Sequence, residues 1–308
     1  MLITLQDKER GKYMSVRRRS NWYIYFIAFA IALTFAIVAI FAFKWYLFPE
    51  DSSTVGNIPS GGNSEGFRPT AEDSFNLITM LSDSSSESPD LFVMVEYDAV
   101  QNRVAFIFLP NGISIPIEGR SLPNVYAAQG ANRVLSLINE VVGVKCDFYI
   151  KLDRAGFLSL ISSFGNVNYE VLKTIMIRDG SEVETINMGV QQLAAESMFR
   201  LAMYAQYSEG ESYRFNCTGQ MYSDLINQNF RNVNESLLNT YFDIIMEHAE
   251  TNITREMFTD HIEALKNTIE YGKNPAEYYV PYGEYTDDGG FKIAANSITT
   301  IKQKAGLE

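Results

Sequence analysis

The chain of 308 residues is poor in cysteine and histidine. Its two cysteines, Cys146 and Cys217, cannot build a disulfide framework, and the absence of a CxxC pair gives no support for zinc or thiol redox chemistry. They form one bridge in an oxidising exterior, or they are two unpaired small core residues. With His248 and His261 as the two histidines, a histidine metal site or a Ser-His-Asp triad is poorly supported. We interpret both histidines as ordinary surface or satisfied residues.

The chain also lacks a run of Lys and Arg beyond its N-terminal segment. It has 25 basic and 37 acidic residues, for a net charge of −12. Seven of the basic and two of the acidic residues precede residue 49, so residues 49–308 carry 18 positive and 35 negative charges. A field of that sign repels nucleic acid and other polyanions. We therefore predict no nucleic-acid partner.

One stretch of the chain has no charge at all and is strongly apolar. No charged residue occurs from Trp22 to Phe43, and a helix of that length reaches about 33 Å, enough to cross a hydrocarbon core of about 30 Å. Aromatic residues stand at both ends, as expected at the two membrane interfaces. The run is too long for a cleaved signal peptide, and no small-residue cleavage site follows it. The sequence predicts an uncleaved transmembrane helix over residues 22–47.

The charges that flank this helix predict its orientation. The preceding segment, residues 1–21, is basic, whereas Glu50 and Asp51 follow the helix. The positive-inside rule places the N-terminal stub in the cytoplasm and the rest of the chain outside. We therefore predict a single-pass protein of the cell membrane. A flexible linker rich in Ser, Gly, Asn and Pro, residues 48–73, leads to an extracytoplasmic domain, residues 74–305.

Strand and helix patterns alternate through the first half of this domain. Apolar strand patterns cover Phe75–Leu81, Leu91–Asp98 and Arg103–Pro110, and the short turn between the last two predicts a hairpin. Helical spacing of apolar residues follows over Ala131–Gly143, where the glycine stops the helix. This order predicts an α/β fold, a single layered α/β/α sandwich domain.

The second half of the domain is more helical. Apolar residues at helical spacing predict a helix over Met188–Tyr207 and further helices towards the C-terminus. Asn234 and Thr254 stand at the starts of two of these helices, where their side chains are suited to act as N-caps.

Several short phrases of the domain occur in a recognisable order. NLITMLSD (residues 76–83) looks like an opening strand that ends in Gly-Ser-Asp, and GVKCDFYIKLDRAGF (residues 143–157) is similar to a Gly-Ile, Asp-His-Tyr, Asp-x-x-Gly-Phe progression. TNIT (residues 251–254) matches a Thr-Asn-Leu-Thr phrase before a late helix. Together these phrases resemble the LytR-CpsA-Psr family, over about residues 75–301. Its members share a short basic N-terminus, a single anchor and an outward catalytic domain.

The resemblance implies an activity and a set of site residues. It implies a phosphotransferase that takes a glycopolymer from a polyprenyl-pyrophosphate carrier and attaches it to peptidoglycan with the help of Mg²⁺. Asp83 and Asp90 stand at the family's metal-binding aspartates and are candidate Mg²⁺ ligands. Asn124 remains from the family's Lys-Ile-Asn phrase, and Arg200 and Arg214 lie near family arginines. These last three are candidate substrate-binding residues.

Most of the family's basic positions are uncharged in this chain. The residues that stand at these positions are Ser88, Asn111, Leu122, Ser197 and Phe199. A charge-assisted contact to phosphate contributes about 2–4 kcal/mol at the transition state, so the loss of four or five such groups removes most of the catalytic stabilisation. We therefore predict a divergent or inactive copy that binds a polyprenyl-linked envelope precursor, or a protein partner in envelope assembly, without transferring it.

Two alternatives of different classes remain open. The first is an active Mg²⁺-dependent glycopolymer transferase with rearranged basic residues, which the convergence of their side chains on one pocket would favour. Those residues are Arg120, Arg133, Arg200 and Arg214. The second is a structural module of envelope assembly without a ligand, which a closed apolar core would favour.

The candidate residues also have ordinary interpretations. Asp83 and Asp90 lie in a loop rich in Ser, Asp and Glu, where carboxylates are usually solvated. Arg200 and Arg214 have acidic neighbours in the sequence, with which they can form surface ion pairs of little energetic consequence.

Overall fold

A computed structural model describes residues 67–85, 87–113, 121–179, 182–287 and 290–307. The predicted transmembrane helix at residues 22–47 lies outside these described residues, as does the basic stub. Within the described ranges, no helix has the length and apolar character needed to cross a bilayer. The described residues belong to one unit, residues 64–308.

Twelve strands and seven α-helices occur in the described part of the chain. The strands are β1 Phe75–Leu81, β2 Leu91–Asp98, β3 Arg103–Leu109, β4 Phe148–Leu152, β5 Val167–Val171, β6 Ile175–Asp179, β7 Glu182–Ile186, β8 Gly189–Leu193, β9 Ala249–Thr251, β10 Ala276–Tyr279, β11 Gly283–Tyr285 and β12 Phe291–Ile293. The helices are α1 Leu122–Val142, α2 Arg154–Phe164, α3 Ala195–Met203, α4 Glu211–Asn229, α5 Glu235–His248, α6 Arg255–Tyr271 and α7 Ala295–Lys304.

Six strands form a central mixed sheet in the order β10-β3-β2-β1-β4-β9. The predicted hairpin of β2 and β3 is confirmed, since the two strands pair antiparallel. Strand β1 pairs antiparallel with β2 and parallel with β4, and β3 pairs parallel with β10. The connection between β1 and β2, residues 82–90, therefore emerges at the edge of the sheet where β4 also ends.

Both faces of the central sheet are buried. Alternate residues of β1 divide between two apolar clusters, Leu77 and Leu81 on one side and Ile78 and Met80 on the other. Helices α2, α3 and α4 contribute to the first cluster, and α1 and α7 contribute to the second. Burial on both faces explains why the strands are almost continuously apolar. The result is a mixed α/β fold with helices against each face of the sheet.

The predicted helix ends are confirmed by their capping geometry. The side chain of Asn234 accepts a hydrogen bond from the Leu237 amide at 3.0 Å, and Thr254 accepts one from the Met257 amide at 3.3 Å. Gly143 ends α1 in the left-handed region, at φ 72°. That conformation strains any residue with a Cβ, so the glycine acts as the C-cap.

The predicted helix over Met188–Tyr207 is wrong in its first part. Residues Gly189–Leu193 form β8 and pair with β5, and α3 begins at Ala195. β5, β6, β7 and β8 make two consecutive antiparallel ladders, which form one long hairpin. Cross-strand hydrogen bonding with a distant segment has overridden the local helical spacing.

Candidate functional site

The loop between β1 and β2 places the two candidate aspartates in different surroundings. Asp83 is exposed, whereas Asp90 is half-buried and donates its backbone N–H to the Leu81 carbonyl at 2.9 Å. That bond closes the base of the loop directly above the ends of β1 and β2. The two carboxylates therefore have separate surroundings, since Asp90 contacts Arg214 whereas Asp83 lines a different pocket.

Asp90 belongs to a buried polar group that we call the Arg214 cluster, formed by Asp90, Asn111, Glu211 and Arg214. Arg214 donates from Nη1 to Asp90 Oδ2 at 3.0 Å and from Nη2 to the Asp90 carbonyl at 3.1 Å. Asn111 donates from Nδ2 to Asp90 Oδ1 at 3.0 Å, and its backbone N–H donates to Glu211 Oε1 at 3.4 Å. Three segments of the chain meet in this cluster: the β1–β2 loop, the residues after β3, and the first turn of α4.

The electrostatics of the cluster centre on one buried guanidinium. The Arg214 side chain is 4% exposed and lies 3.6 Å from Glu211 Oε1. Burial raises the pKa of Glu211, and the nearby Arg214 charge opposes that rise without cancelling it. The Nε of Arg214 has no hydrogen-bond acceptor within the described part of the chain. The cluster thus holds one cation against two carboxylates and keeps one donor unused.

Asp83 lines a second site, which we call the polar pocket. It is a cavity of about 630 Å³ whose lining includes Asp83, Arg178 and Arg200. Arg200 donates from Nε to Glu196 Oε1 at 2.8 Å, and Arg154 donates to the same oxygen. Burial alone would raise the pKa of Glu196, but the hydrogen bonds from the two arginines outweigh it and lower that pKa. Glu196 therefore neutralises part of the positive charge of Arg154 and Arg200.

An apolar cavity of about 160 Å³ lies beneath the loop, between β1–β3 and helices α2 and α4. Leu81 and Leu91, which flank the loop, line it together with Leu160 and Ile161 of α2. The cavity also adjoins the polar pocket. Phe157 lines the cavity and Phe199 lines the polar pocket, and the centroids of their two rings are 5.6 Å apart. Polar groups and an apolar chamber therefore share one edge of the sheet.

The remaining predicted site residues do not join these groups. Asn124 is exposed in the first turns of α1, and Arg133 pairs with Glu140 of the same helix at 2.9 Å. Arg120 lies outside the described residues. Arg214 sits in its cluster and Arg200 in the polar pocket, so the arginines are distributed over separate sites. Both arginines pair with the predicted acidic neighbours, Glu196 and Glu211. The Arg214 pair is not the expected surface pair, because the Arg214 side chain is buried.

Sequence reasoning missed two residues of this region. Asn111, which stands at one of the uncharged family positions, completes the Arg214 cluster. Lys151 is buried on β4, where its Nζ donates to the Ser85 carbonyl at 2.8 Å and lies 5.1 Å from the centroid of the Tyr126 ring. A lysine inside an otherwise apolar strand was the available signal, because such a residue needs a polar partner when it is buried.

Comparisons with known proteins agree on one family. A model of the LytR_cpsA_psr family matches residues 53–299. A curated relative from Halalkalibacterium halodurans is named polyisoprenyl-teichoic acid–peptidoglycan teichoic acid transferase TagU. It is 22% identical over 160 residues, which are 47% of this chain and 53% of that protein. The chain thus spans about half the length of the curated relative that it matches.

Solved structures show the same fold. A protein from Eubacterium siraeum described as a transcription regulator superposes with a TM-score of 0.74 at 22% identity, covering 83% of this chain and 100% of that one. The structure titled "TagT bound to LIIa-WTA" gives a TM-score of 0.57 at 13% identity, covering 79% of this chain and 95% of that one. At such identities the likeness concerns the fold alone.

Proposed function

The chain belongs to the LytR_cpsA_psr family, and from this premise we propose that it binds a polyprenyl-linked envelope precursor at the outer face of the cell membrane without transferring it. The predicted transmembrane helix at residues 22–47 anchors it, with the N-terminus in the cytoplasm and the described domain outside. In this role the protein presents a lipid-linked glycopolymer to other envelope-assembly proteins.

The observation that carries this proposal is the apolar cavity beside the polar loop. A polyprenyl-linked phosphate has a long apolar tail and an anionic head, and it needs an apolar chamber next to hydrogen-bond donors. The cavity lined by Leu81, Leu91 and Ile161 supplies the chamber. The guanidinium groups of Arg178 and Arg200 in the neighbouring polar pocket supply donors beside it. An open cavity also argues against the structural module without a ligand.

Binding without transfer is supported by how the arginines are paired. Phosphoryl transfer requires positive charge that is free to stabilise the developing negative charge. Here Arg214 is paired with both Asp90 and Glu211. Arg200 lies 2.8 Å from Glu196 and 3.6 Å from Glu184. An incoming phosphate must compete with these carboxylates. The local charge suits a modest binding site better than a transition-state clamp.

The residues present fit a magnesium ion poorly. Magnesium prefers carboxylate oxygens in near-octahedral geometry, yet both oxygens of Asp90 already accept hydrogen bonds, from Asn111 and Arg214. Asp83 lines the polar pocket instead. Among the described residues, no group of three or more His, Cys, Asp or Glu side chains is placed to hold a metal. The binding role proposed here therefore includes no step through magnesium, and Mg²⁺ binding by Asp83 and Asp90 stays a prediction.

The active transferase remains the second candidate, because Asp83, Arg178 and Arg200 line one pocket. The two proposals differ in a direct assay. Full-length protein in lipid nanodiscs is mixed with a labelled lipid-linked glycopolymer and peptidoglycan, with and without Mg²⁺. We expect no label on the peptidoglycan. Mg²⁺-dependent labelling that is lost in Asp83→Asn would contradict binding without transfer and favour the transferase.

Lipid binding is tested by blocking the cavity. The nanodisc-embedded chain is titrated with a polyprenyl pyrophosphate by calorimetry, and Ile161→Trp is compared with Leu172→Trp. Ile161 lines the cavity, whereas Leu172 is exposed on the β5–β8 hairpin. We expect Ile161→Trp to weaken binding about tenfold and Leu172→Trp to leave it unchanged, with little effect of Mg²⁺. Equal affinities for the two variants, or no binding by the wild type, would contradict the proposal.

A further inference from the structure

A groove next to the Arg214 cluster is lined largely by aromatic rings. We call it the tyrosine groove, and its volume is about 510 Å³. It lies between the start of α4 and the segment that contains β10, β11 and β12. Its rings belong to Tyr278, Tyr279, Tyr282, Tyr285 and Phe291.

Two of these rings are exposed to solvent. Tyr282 is 72% exposed and Tyr285 is 61% exposed. Tyr285 is the cross-strand partner of Phe291, and their rings meet edge to face with centroids 5.0 Å apart. The contact fixes the orientation of the Tyr285 ring while one of its faces remains free. Large rings held in this way commonly mark a binding surface, because the apolar faces gain by being covered.

The polar groups of the groove are uncharged. Among the described residues, its lining includes no Asp, Glu, Lys or Arg, in a chain whose net charge is −12. Ser212 and Asn216 lie one helical turn apart on α4 and both face the groove. Asn216 donates from Nδ2 to the Ser212 carbonyl at 2.7 Å, which leaves its Oδ1 as an acceptor. The groove offers hydroxyl, amide and aromatic surfaces, with no cation for an anionic ligand.

We infer that the tyrosine groove binds an uncharged stretch of glycan. A sugar ring presents C–H groups that pack on an aromatic face, and hydroxyls around its rim that bond to amide and hydroxyl groups. A lipid tail fits poorly, because tyrosine hydroxyls, Ser212 and Asn216 would lose water without new partners. An anionic polymer fits poorly because the described residues that line the groove carry no positive charge.

The position of the groove links it to the proposed function, on which this inference rests. The hydroxyl of Tyr285 donates to Glu211 Oε2 at 3.4 Å, and Glu211 belongs to the Arg214 cluster. A ligand whose phosphate lies near Arg214 therefore has its attached sugars, or a neighbouring glycan strand, within reach of the groove. The two sources share one chemistry, that of uncharged sugar rings.

Calorimetry with a tetramer of β-1,4-linked N-acetylglucosamine tests the groove. The full chain is held in nanodiscs, because a maltoside detergent would itself present sugar rings. Tyr282→Ala is compared with Tyr271→Ala, a matched control with a tyrosine that is 62% exposed at the end of α6, away from the groove. We expect Tyr282→Ala to weaken tetramer binding about tenfold, and Tyr271→Ala to bind like the wild type.

The source of the sugar is separated by adding the lipid ligands. If the groove takes a free glycan strand, the tetramer still binds when a polyprenyl-pyrophosphoryl disaccharide is present at saturation. If it takes sugars joined to the carrier, that ligand displaces the tetramer, and Tyr282→Ala weakens its binding while leaving the sugar-free polyprenyl pyrophosphate unaffected.

Other outcomes overturn the inference. Tetramer binding that Tyr282→Ala and Tyr271→Ala leave equal would remove the groove as the site. A third outcome is that Tyr282→Ala weakens binding of a proline-rich peptide but of neither the tetramer nor the lipid-linked disaccharide. The groove would then be a peptide-binding surface, a role that aromatic grooves also have. Failure of glycan binding with polyprenyl pyrophosphate binding intact defeats this inference alone. If the tetramer binds at the groove but polyprenyl pyrophosphate does not bind, the lipid-binding proposal is wrong and the glycan site remains.

Discussion

At the scale of single residues, Arg214 has the most constrained environment of the site. Its guanidinium is buried, stacks near the Phe215 ring at 5.3 Å, and donates to Asp90 twice. A buried charge is tolerated when it is paired and hydrogen-bonded, but the loss of one partner leaves the other uncompensated. Arg214 therefore stabilises the fold as well as marking the candidate site.

We expect Arg214→Met to lower the free energy of unfolding by about 3 kcal/mol, because Glu211 and Asp90 lose their buried counter-ion. Arg178→Met is the matched control, since Arg178 is exposed on β6. Urea unfolding followed by near-ultraviolet circular dichroism measures both. A loss for Arg214→Met no larger than that for the control would show that the cluster contributes little to stability.

Glu96 is a second buried carboxylate, on β2 and outside the candidate site. It is 3% exposed, and its Oε2 has no hydrogen-bond partner in the described part of the chain. Burial raises its pKa from 4.5 to about 7, with Asp98 and Glu277 adding to the rise and Arg103 opposing it. A raised carboxyl pKa means that the folded state holds the proton more tightly than the unfolded state.

The stability that this proton provides is fully present below about pH 4.5 and is lost as the pH rises through about 7. Between pH 8 and pH 5 we expect the wild type to gain on the order of 2 kcal/mol relative to Glu96→Gln, which cannot titrate. Urea titrations of both proteins at the two pH values measure the difference. The same pH response in both would mean that Glu96 has an ordinary pKa.

At the scale of elements, helix α5 depends on its N-cap. Asn234 accepts a hydrogen bond from the Leu237 amide, which satisfies one of the free amides in the first turn. We expect Asn234→Ala to lower the free energy of unfolding by about 1 kcal/mol. Asn234→Asp should lower it much less, because aspartate is also a good N-cap residue. Thermal unfolding of the two variants checks this. An aspartate variant as unstable as the alanine variant would argue against capping.

Helix α4 packs closely on β10 through Gly219. A Cβ at this position would lie 2.5 Å from Cδ2 and 2.9 Å from Cβ of Tyr278, a residue of the tyrosine groove. Alanine favours a helix over glycine by about 1 kcal/mol, but the overlap requires the helix or the ring to move. We expect Gly219→Ala to destabilise by about 2 kcal/mol.

The neighbouring exposed residue supplies the control for this change. Gln220→Ala on the same helix turn should be close to neutral, because its side chain is exposed and donates to Asp224, one turn along the same helix, at 2.9 Å. Chemical unfolding of both variants compares them. If Gly219→Ala were as stable as the wild type, the contact between α4 and β10 would be looser than the structure has it.

At the scale of the whole molecule, charge sets the response to salt. The part of the chain after residue 48 carries 18 positive and 35 negative charges. Its long-range field repels an anionic head group, whereas the attraction of Arg214 and Arg200 is local. Salt weakens the long-range repulsion more than the local attraction, because the Debye length is about 10 Å at an ionic strength of 0.1 M.

We therefore expect polyprenyl pyrophosphate to bind the full chain at least as tightly at about 200 mM NaCl as at about 20 mM. Most anion sites weaken over that range. Calorimetry in nanodiscs of zwitterionic lipid measures the affinity, with the uncharged polyprenol as a ligand that salt should not affect. A marked loss of affinity at high salt would indicate that local cations dominate.

The sequence by itself determined the elements whose signals are local. β1, β2 and β3 match their predicted spans to within a residue, because long apolar runs between turns favour buried strands. The caps Asn234 and Thr254 were found because capping depends on the residue and its position. The resemblance to the family rested in the same way on short phrases in a fixed order, and the family model matches.

The tertiary structure alone decided what surrounds each candidate side chain. Arg214 meets Asp90 across 124 positions of sequence, and Asp83, seven residues from Asp90, faces a different pocket. The pairing of β8 with β5 likewise replaced a helix that local spacing favoured. Such outcomes depend on which distant segments the sheet and helices bring together. Hydrogen bonding and burial between those segments outweigh local preference, and no single stretch of the sequence contains that information.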